Sequence, residues 1–493
     1  MFEKTGKAYM SIWRYVECGA VVAVAAIIRC LYVGKADIGN DECFSLFYAS
    51  RSLADILVGL SAYDNPPLWE LLLHFWVMLF GVSVLSLRIL SLVFSVLTVI
   101  PIWLTGERYV GRHVGLLAST MYAFSTMSIF LSHDGRIYSL LGMLAAWSLY
   151  FFLTVLDENY RGRSAWVWLA VVNVLIMYSH YMAFWVIVVE AVSLLFVPGA
   201  LRRLWKHGLV HAAVLILCYI PMWAVLYARF MDSGVHGTWI AKTEGFDTLY
   251  FMFCHLTNSP VPTILFLVLS LCVLVMTVVA MVRKRFRVSN VTLLTAAWLI
   301  PLMVSFVVSF FVGMFLDRYF YFALPAYLLA LSAYCRRLAG DKVRLYYYLC
   351  GVMVLLMALS CKPDDTRLRY AGWKGNVSAT AQRMLELEQA EPCNIVIAPE
   401  WIDKQLVYYF DTAHTAFLTE GRVEQQVFEP YLAPRGYLYC NSVSMPERPV
   451  VHIVREQWYP VEEWTSMLEN NGYVLQGVES FQQQEIITYR KPE

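Results

Sequence analysis

Two adjacent carboxylates, Asp41 and Glu42, are the residues of this chain best suited to acid–base chemistry. They follow the first apolar segment directly, and aromatic and aliphatic residues recur behind them from Phe44 to Leu57. An isolated pair of this kind is usually a solvated turn. The apolar residues around it instead favour interfacial helices lying on a membrane surface. A carboxylate held at such a surface has a raised pKa, which suits a general base.

Two further polar clusters have types and spacing suited to chemistry. The loop Ser132–Tyr138 has the sequence SHDGRIY and contains Asp134 and Arg136. An Asp and an Arg in one loop often form a structural ion pair, but a guanidinium there can also hold an anion through two parallel hydrogen bonds. The third cluster, Asp317–Tyr319, is either a site or an interfacial anchor of the kind that Tyr and Arg commonly form.

The elements that carry these clusters are hydrophobic. Of the 493 residues, 59% are apolar and 15% are charged, against roughly 25% charged in soluble domains. Apolar windows near the length needed to cross a bilayer recur from Arg14 to Ser360. This pattern excludes a soluble enzyme and predicts an all-α polytopic membrane protein. No basic stretch is interleaved with aromatic residues, which argues against a nucleic-acid partner.

Eleven spans are predicted, each bounded by charged or turn residues: 14–33, 88–105, 114–131, 138–156, 164–179, 182–198, 207–228, 261–282, 291–313, 319–335 and 344–360. The two alternating sets of loops carry 18 and seven Lys and Arg residues. Because basic residues resist translocation, we expect the N-terminus inside and the C-terminus outside, in the periplasm, with the chain in the cytoplasmic membrane. The first span is expected to be an uncleaved anchor, since its apolar run is long and no clear cleavage site precedes Lys35.

The segment Pro67–Gly81 is apolar but short, and it contains Glu70 and His74. We therefore expect it to lie on the outer leaflet instead of crossing. Polar residues also occur inside predicted spans at Arg29, Asn173 and Glu190. Because polar groups are costly in lipid, they either line a cavity or form hydrogen bonds between helices.

The chain divides by composition into a transmembrane domain, 1–360, whose first external loop is 34–87, and an external domain, 361–493. The external part predicts a small α/β fold. Its β-type runs are Asn394–Ala398, His414–Leu418, Tyr437–Cys440, Val450–Val454 and Ile486–Tyr489, and its helical patterns are Trp373–Ala390 and Val461–Asn471. Cys361, Cys393 and Cys440 face an oxidising compartment, where two of them could form a disulfide.

The motifs of common soluble enzymes are missing: the chain has no phosphate-binding Gly-rich loop, no HExxH and no Asp-x-Asp pair. A catalyst outside the cytoplasm must draw its activated substrate from the membrane. The order of the motifs that remain resembles the GT-C superfamily of membrane glycosyltransferases, and most closely the dolichyl-phosphate-mannose protein mannosyltransferases with their bacterial relatives, including aminoarabinose transferases. The matching segments are Asp41-Glu42, Asn65–Leu68 followed by His74, Leu87–Ser91, Gly111-Arg112, Ser132–Ser139, Ser179–Tyr181, Arg318-Tyr319 with Pro325, and Trp373.

Departures from the family pattern leave the substrate open. Many bacterial relatives have His where this chain has Asn65, and Gln-Glu-Ala-Arg where it has His133–Arg136. The resemblance implies a GT-C fold and transfer of a hexosyl or pentosyl group from a polyprenyl-phosphate donor to a hydroxyl of a protein, lipid or glycan acceptor, with inversion at the anomeric carbon. Membrane lipids are implied as further partners.

The resemblance also implies roles for individual residues. Asp41 is expected to be the base, with Glu42 and Asp134 orienting the acceptor or sharing a divalent cation with it. Arg136 and Arg318 are expected to bind the leaving lipid phosphate. The remaining expected substrate-binding residues are His74, His133, Tyr138 and Tyr319.

The main rival is a transporter or flippase of envelope precursors. Such proteins typically show repeated halves, broken spans and charges at the membrane midplane. The sequence has no detectable repeat, and its candidate acidic residues lie on one predicted face. These features favour the enzyme.

Overall fold

A computed structural model gives the fold and describes residues 12–59, 66–236, 238, 240–257, 259–283, 288–361, 376–410 and 428–492. Its contacts divide the chain into two compact units. The first unit comprises Met1–Val33, Leu60–Trp69 and Arg88–Asp365, and the second comprises Gly34–Gly59, Glu70–Leu87 and Thr366–Glu493. Most of the segment predicted to be the first external loop therefore belongs to the same unit as the C-terminal residues. The boundary at residue 360 stays a prediction.

Helices make up the described chain up to residue 360. In order they are α1 (Ile12–Cys30), α2 (Asn40–Ala49), α3 (Leu53–Gly59), α4 (Leu68–Phe80), α5 (Val84–Leu97), α6 (Val99–Thr105), α7 (Val114–Phe124), α8 (Thr126–Ser132), α9 (Tyr138–Leu156), α10 (Ser164–Met177), α11 (Phe184–Phe196), α12 (Ala200–Cys218), α13 (Ile220–His236), α14 (Asp247–Thr257), α15 (Pro260–Arg283), α16 (Asn290–Ser309), α17 (Leu324–Ala339) and α18 (Val343–Ser360). A π-helical turn, Gly106–Val110, follows α6, and 3-10 turns occupy Tyr181–Ala183 and Asp317–Ala323.

Several of these helices can cross a membrane. Within the described residues, five stretches are long and apolar enough: Val84–Val110, Tyr138–Leu156, Pro260–Arg283, Asn290–Ser309 and Val343–Ser360. Two further pairs meet the same criteria as bent spans, with angles of 61° between α7 and α8 and 73° between α12 and α13. The chain is therefore an integral membrane protein built mostly from helices, as predicted. The number of eleven spans and the direction of crossing stay predictions.

Close helix packing fixes where α7 begins. A Cβ atom on Gly115 would lie 2.1 Å from the carbonyl oxygen of Trp103, and one on Gly106 would lie 2.3 Å from the Gly115 backbone. Only glycine allows backbones to approach this closely. At its other end α7 bends sharply at Ser125 into α8, which leads to the loop before α9.

The polar residues inside α10 and α11 form hydrogen bonds between helices. Ser148 Oγ lies 2.6 Å from both Asn173 Oδ1 and Glu190 Oε1, and Asn173 Nδ2 donates to Glu190 Oε2 at 2.7 Å. Glu190 also lines a small, mostly apolar cavity. These bonds offset the cost of placing polar side chains among apolar helices.

The second unit contains a five-stranded mixed sheet in the order β2-β1-β3-β5-β4. Its elements are helix α19 (Val377–Ala390), β1 (Cys393–Ala398), α20 (Asp403–Phe410), a short helix Glu429–Leu432, β2 (Tyr437–Tyr439), β3 (Val450–Glu456), a helix Glu462–Asn470, β4 (Val474–Phe481) and β5 (Gln484–Arg490). Strand β1 pairs in parallel with β2 and β3, whereas β5 pairs antiparallel with β3 and β4.

The structure confirms four of the predicted β-type runs and the helical pattern Val461–Asn471. The pattern Trp373–Ala390 is a helix from Val377 onward, and its residues 373–375 lie outside the described part of the chain. The fifth run, His414–Leu418, lies outside the described residues. Strand β4 and helix α20 were not predicted. The three cysteines considered for a disulfide are free thiols. Cys393 begins β1 and Cys440 follows β2, so these two lie at opposite ends of neighbouring parallel strands, too far apart to bond.

Candidate active site

The predicted base and its neighbour lie in the first turn of α2, in the second unit. The backbone N–H of Gly39 donates to Glu42 Oε2 at 2.8 Å, which closes the turn where the helix begins. Glu42 is completely buried, whereas Asp41 is half-buried. Acidic side chains are favoured at this end of a helix because its backbone N–H groups carry partial positive charge. Glu42 thus supports the helix start, while Asp41 lies on the more open side.

Helix α20 holds the chain just before this turn. Gln405 Nε2 donates to the Ile38 carbonyl oxygen at 2.9 Å, and the Ile38 N–H donates to the Tyr409 hydroxyl at 3.0 Å. Both backbone polar groups of the fully buried Ile38 are therefore bonded by side chains of one helix. On the preceding residue, Asp37 Oδ2 accepts the N–H of Ser378 at 2.7 Å, near the N-terminus of α19. The sequence offered only a weak signal for α20: an Asp after a proline-containing turn.

Buried charges surround the thiol of Cys43 in this unit. Burial raises the pKa of Cys43, the nearby Lys404 ammonium lowers it, and Asp403 and Glu42 raise it further. Asp403 is itself fully buried, accepts from the Tyr439 hydroxyl at 3.1 Å and lies 3.4 Å from Lys404 Nζ. Burial raises its pKa, and Lys404 opposes that effect. The charges of α20 thus act on the first turn of α2.

The predicted substrate-binding residue His74 also lies in the second unit. Its Nδ1 is 2.8 Å from the carbonyl oxygen of Ala49, at the end of α2. One turn earlier on α4, Glu70 Oε1 accepts from Ser45 Oγ at 3.1 Å. Two side chains of α4 therefore bond to α2, so His74 helps to hold the helix that carries Asp41. Its contact with substrate stays a prediction.

In the first unit, hydrogen bonds to other segments hold the loop between α8 and α9. Trp69 Nε1 donates to the Gly135 carbonyl oxygen at 3.1 Å, and Ser91 Oγ donates to that of Arg136 at 3.2 Å. His133 Nε2 lies 2.7 Å from the carbonyl oxygen of Arg29. His133, Asp134 and Arg136 are all buried. The loop is thus pinned on several sides, and its conformation is set by residues from three other segments.

Basic and aromatic side chains gather beside this loop. Tyr138 and Tyr319 stack at 6.3 Å between ring centres, the ring of His180 lies 4.6 Å from that of Tyr319, and the Arg318 guanidinium lies 5.6 Å from the Tyr138 ring. Burial, together with the charges of Arg136 and Arg318, lowers the pKa of His180 to about 3. We call Arg136, Tyr138, His180, Arg318 and Tyr319 the basic–aromatic cluster.

The cluster is positive: Arg136, Tyr138 and His180 are buried, and Arg318 and Tyr319 are half-buried. Such an arrangement suits an anion. The structure brings together four of the predicted substrate-binding residues: Arg136, Tyr138, Arg318 and Tyr319. It adds His180, whose imidazole Nε2 is buried without a hydrogen-bond partner among the described residues. The sequence signal for His180 was its place in a matching segment, Ser179–Tyr181, but nothing local connected it to the two arginines.

The residue before Arg318 is paired. Asp317 Oδ2 lies 2.6 Å from His255 Nδ1, and Asp317 also accepts the backbone N–H of Arg318. Burial raises the pKa of Asp317 and its contacts with Arg318 oppose that effect, which leaves the pKa at about 7. Asp317 therefore orients the chain that presents Arg318.

The arrangement of the described residues does not support the predicted divalent cation. Among the described residues, no group of three or more His, Cys, Asp or Glu side chains is arranged to hold a metal ion. The candidate ligands were Asp41, Glu42 and Asp134. Of these, Glu42 already accepts a backbone hydrogen bond in the turn of α2.

The fold resembles that of GT-C membrane glycosyltransferases, as expected. Residues 64–227 match the model of the family described as Dolichyl-phosphate-mannose-protein mannosyltransferase. The structure is similar to that of ArnT from Cupriavidus metallidurans, with a TM-score of 0.60 and 13% identity over 95% of this chain and 97% of that one. The same values hold for ArnT bound to undecaprenyl phosphate.

A more distant likeness is to the archaeal oligosaccharyltransferase AglB from Archaeoglobus fulgidus, solved with an inhibitory peptide and a dolichol-phosphate. Its TM-score is 0.51 and its identity 12%, over 98% of this chain and 74% of that one. A comparison with curated proteins finds no significant match.

Proposed function

We propose that this protein transfers a sugar from a polyprenyl-phosphate carrier to an acceptor hydroxyl at the outer face of the cytoplasmic membrane. The observation that carries the proposal is the basic–aromatic cluster, in which two guanidinium groups act on one buried histidine. The membrane-embedded fold supports a lipid-linked donor. ArnT, a protein of similar fold, has been solved with undecaprenyl phosphate, and AglB with a dolichol-phosphate.

Arg136 and Arg318 hold the phosphate of the donor in this proposal. As the bond between the anomeric carbon and the phosphate oxygen breaks, that oxygen gains negative charge, and two guanidinium groups stabilise it. The stacked rings of Tyr138 and Tyr319 flank Arg318 and restrict its orientation. Because His180 stays neutral, it can donate one hydrogen bond to the anion without carrying a third positive charge.

Asp41 acts as the base. It accepts the proton of the acceptor hydroxyl while the hydroxyl oxygen attacks the anomeric carbon opposite the phosphate, so the configuration inverts. Glu42 positions Asp41 by closing the first turn of α2 with Gly39. Asp134 orients the acceptor, and polyprenyl phosphate leaves with its electron pair on the oxygen.

Topology is tested by cysteine labelling in whole cells. Single cysteines placed next to Glu42 and Asp134, and throughout 361–493, should react with a reagent that cannot cross the membrane. Cysteines next to Arg108 and Arg285 should react only after the membrane is opened. Protection of the Asp134 position would contradict an active site on the outer face.

The reaction is tested by mass spectrometry of envelope glycans, lipids and glycoproteins from cells with and without the gene. We expect a species carrying one additional sugar to disappear on deletion and to return with the wild-type gene. The Asp41→Asn gene should not restore it, whereas Asp55→Asn, an exposed carboxylate of α3, should. Identical envelopes with and without the gene, or full restoration by Asp41→Asn, would overturn the proposal.

A further inference from the structure

Three aromatic side chains form a surface on the second unit. The rings of Trp401 and Trp458 are stacked, with centres 6.3 Å apart and planes inclined by 27°, and Tyr459 meets Trp401 edge-on at 5.9 Å. Trp458 is 67% exposed and Trp401 is 38% exposed. Exposing two large apolar indole rings to water is costly. Trp464 in the same unit is by contrast buried, and its indole N–H donates to the Cys440 carbonyl oxygen. We call Trp401, Trp458 and Tyr459 the aromatic platform.

The platform lies where open α/β sheets bind ligands. Trp401 follows β1 and Trp458 follows β3, and these two strands are parallel neighbours. Their carboxyl ends therefore meet at one edge of the sheet. Ligands of such sheets bind in the crevice outside the carboxyl ends of the strands.

Acidic side chains border the platform. Glu400 precedes Trp401 and lies 3.6 Å from Cys440 Sγ, and Glu456 accepts a hydrogen bond from Trp458, which holds the indole in place. A membrane-anchoring aromatic belt is normally accompanied by Lys and Arg, and carboxylates are repelled by anionic lipid headgroups. Arg455 donates to the Tyr459 carbonyl oxygen at 3.3 Å and is paired with Glu485 at 3.0 Å. The charge pattern thus disfavours a lipid surface.

Helix α20 links this edge of the sheet to the turn that carries the candidate base, Asp41. Helix α20 begins at Asp403, two residues after Trp401, and its Gln405 and Tyr409 bond to Ile38, immediately before the turn that carries Asp41. A molecule lying on the platform is therefore connected to that turn through one short helix.

We propose that the aromatic platform is a subsite for a carbohydrate acceptor. The C–H face of a pyranose ring carries partial positive charge and stacks on the negative face of an indole. The hydroxyl groups around the ring donate hydrogen bonds to Glu400 and Glu456. This inference rests on the proposed glycosyl transfer, because it names the acceptor as a glycan.

The test uses the full chain in lipid nanodiscs and saturation-transfer NMR with four probes: maltotriose, cellotriose, mannotriose and chitotriose. We expect the wild type to transfer saturation to the ring C–H protons of at least one probe. Trp458→Ala should weaken that binding about tenfold and Trp458→Phe less. Leu475→Ala, which removes an exposed apolar side chain from strand β4 of the same sheet, should leave it unchanged.

Several results would overturn the subsite. One is that no trisaccharide binds the wild type; another is that Trp458→Ala binds equally well. Loss of glycan binding together with a lowered melting temperature in Trp458→Ala would show a structural role, unless Trp458→Phe restores both. Glycan binding needs no donor, so failure here is separate from failure of sugar transfer, which the envelope analysis measures.

Discussion

The side chain of Arg29 is predicted to stabilise the bend between α7 and α8. The side chain is completely buried in the first unit. Its Nε donates to Ser95 Oγ at 2.8 Å, and its terminal nitrogens donate to Ser128 Oγ at 2.8 Å and to the carbonyl oxygens of Tyr122 and Ala123 at 3.3 and 3.2 Å. The carbonyl groups lie at the end of α7, where the helix breaks. One guanidinium therefore bonds both sides of the bend.

Replacing Arg29 with Leu removes these four hydrogen bonds to other helices. At about 0.5–1.5 kcal/mol net for each, the free energy of unfolding should fall by roughly 2–6 kcal/mol. For a chain of 493 residues the unfolding entropy is about 1 kcal/mol/K, so the melting temperature should fall by about 2–6 °C. Because α8 leads directly to the loop with Arg136, we also expect weaker binding of polyprenyl phosphate.

The assay is a thermal melt in detergent beside a titration of undecaprenyl phosphate. Arg14→Leu is the matched control, because Arg14 lies on the same helix, is partly exposed and contacts Glu107 at 3.9 Å. Its loss removes one long ion pair and should lower the melting temperature less than the loss of the four bonds of Arg29. Arg29→Lys should recover only part of the stability, since one ammonium cannot reach all the acceptors of a planar fork. If Arg29→Leu melted and bound the lipid like Arg14→Leu, the reasoning would be refuted.

Three further predictions concern the candidate site. Asp41→Asn should reduce turnover about a hundredfold or more while the affinity for undecaprenyl phosphate is retained; near-normal turnover would exclude Asp41 as the base. Replacing Arg136 or Arg318 with Gln should weaken undecaprenyl phosphate binding by about 1.5–3 kcal/mol, with partial rescue by Lys, and unchanged affinity in both would remove them from the site. The pKa of His180 falls from 6.5 to about 3 on folding, so its contribution to stability is present above pH 6.5 and is lost as the pH falls toward 3. His180→Gln should therefore flatten the decline of the melting temperature between pH 6.5 and 4.5, and a slope equal to that of the wild type would contradict the burial argument.

Much of the fold could be predicted from the sequence because burial leaves a local pattern. Long apolar runs indicate spans, and the buried β1 and β3 show as short runs of apolar residues. Strand β4 has no such pattern, since most of its residues are exposed and it is defined by pairing with β5. Helix α20 is short, so its periodicity is weak and its packing decides it.

The candidate site also could be predicted only in part from the sequence. The sequence by itself determined which residues could act, because adjacent carboxylates and a polar loop between apolar segments stand out at Asp41 and Asp134. Only the tertiary structure decided that His180 joins two arginines, that Arg29 holds a helix break, and that Gln405 bonds to Ile38, 367 residues away in the chain. Such bonds satisfy buried polar groups across distant segments, and no local periodicity records which segment supplies the partner.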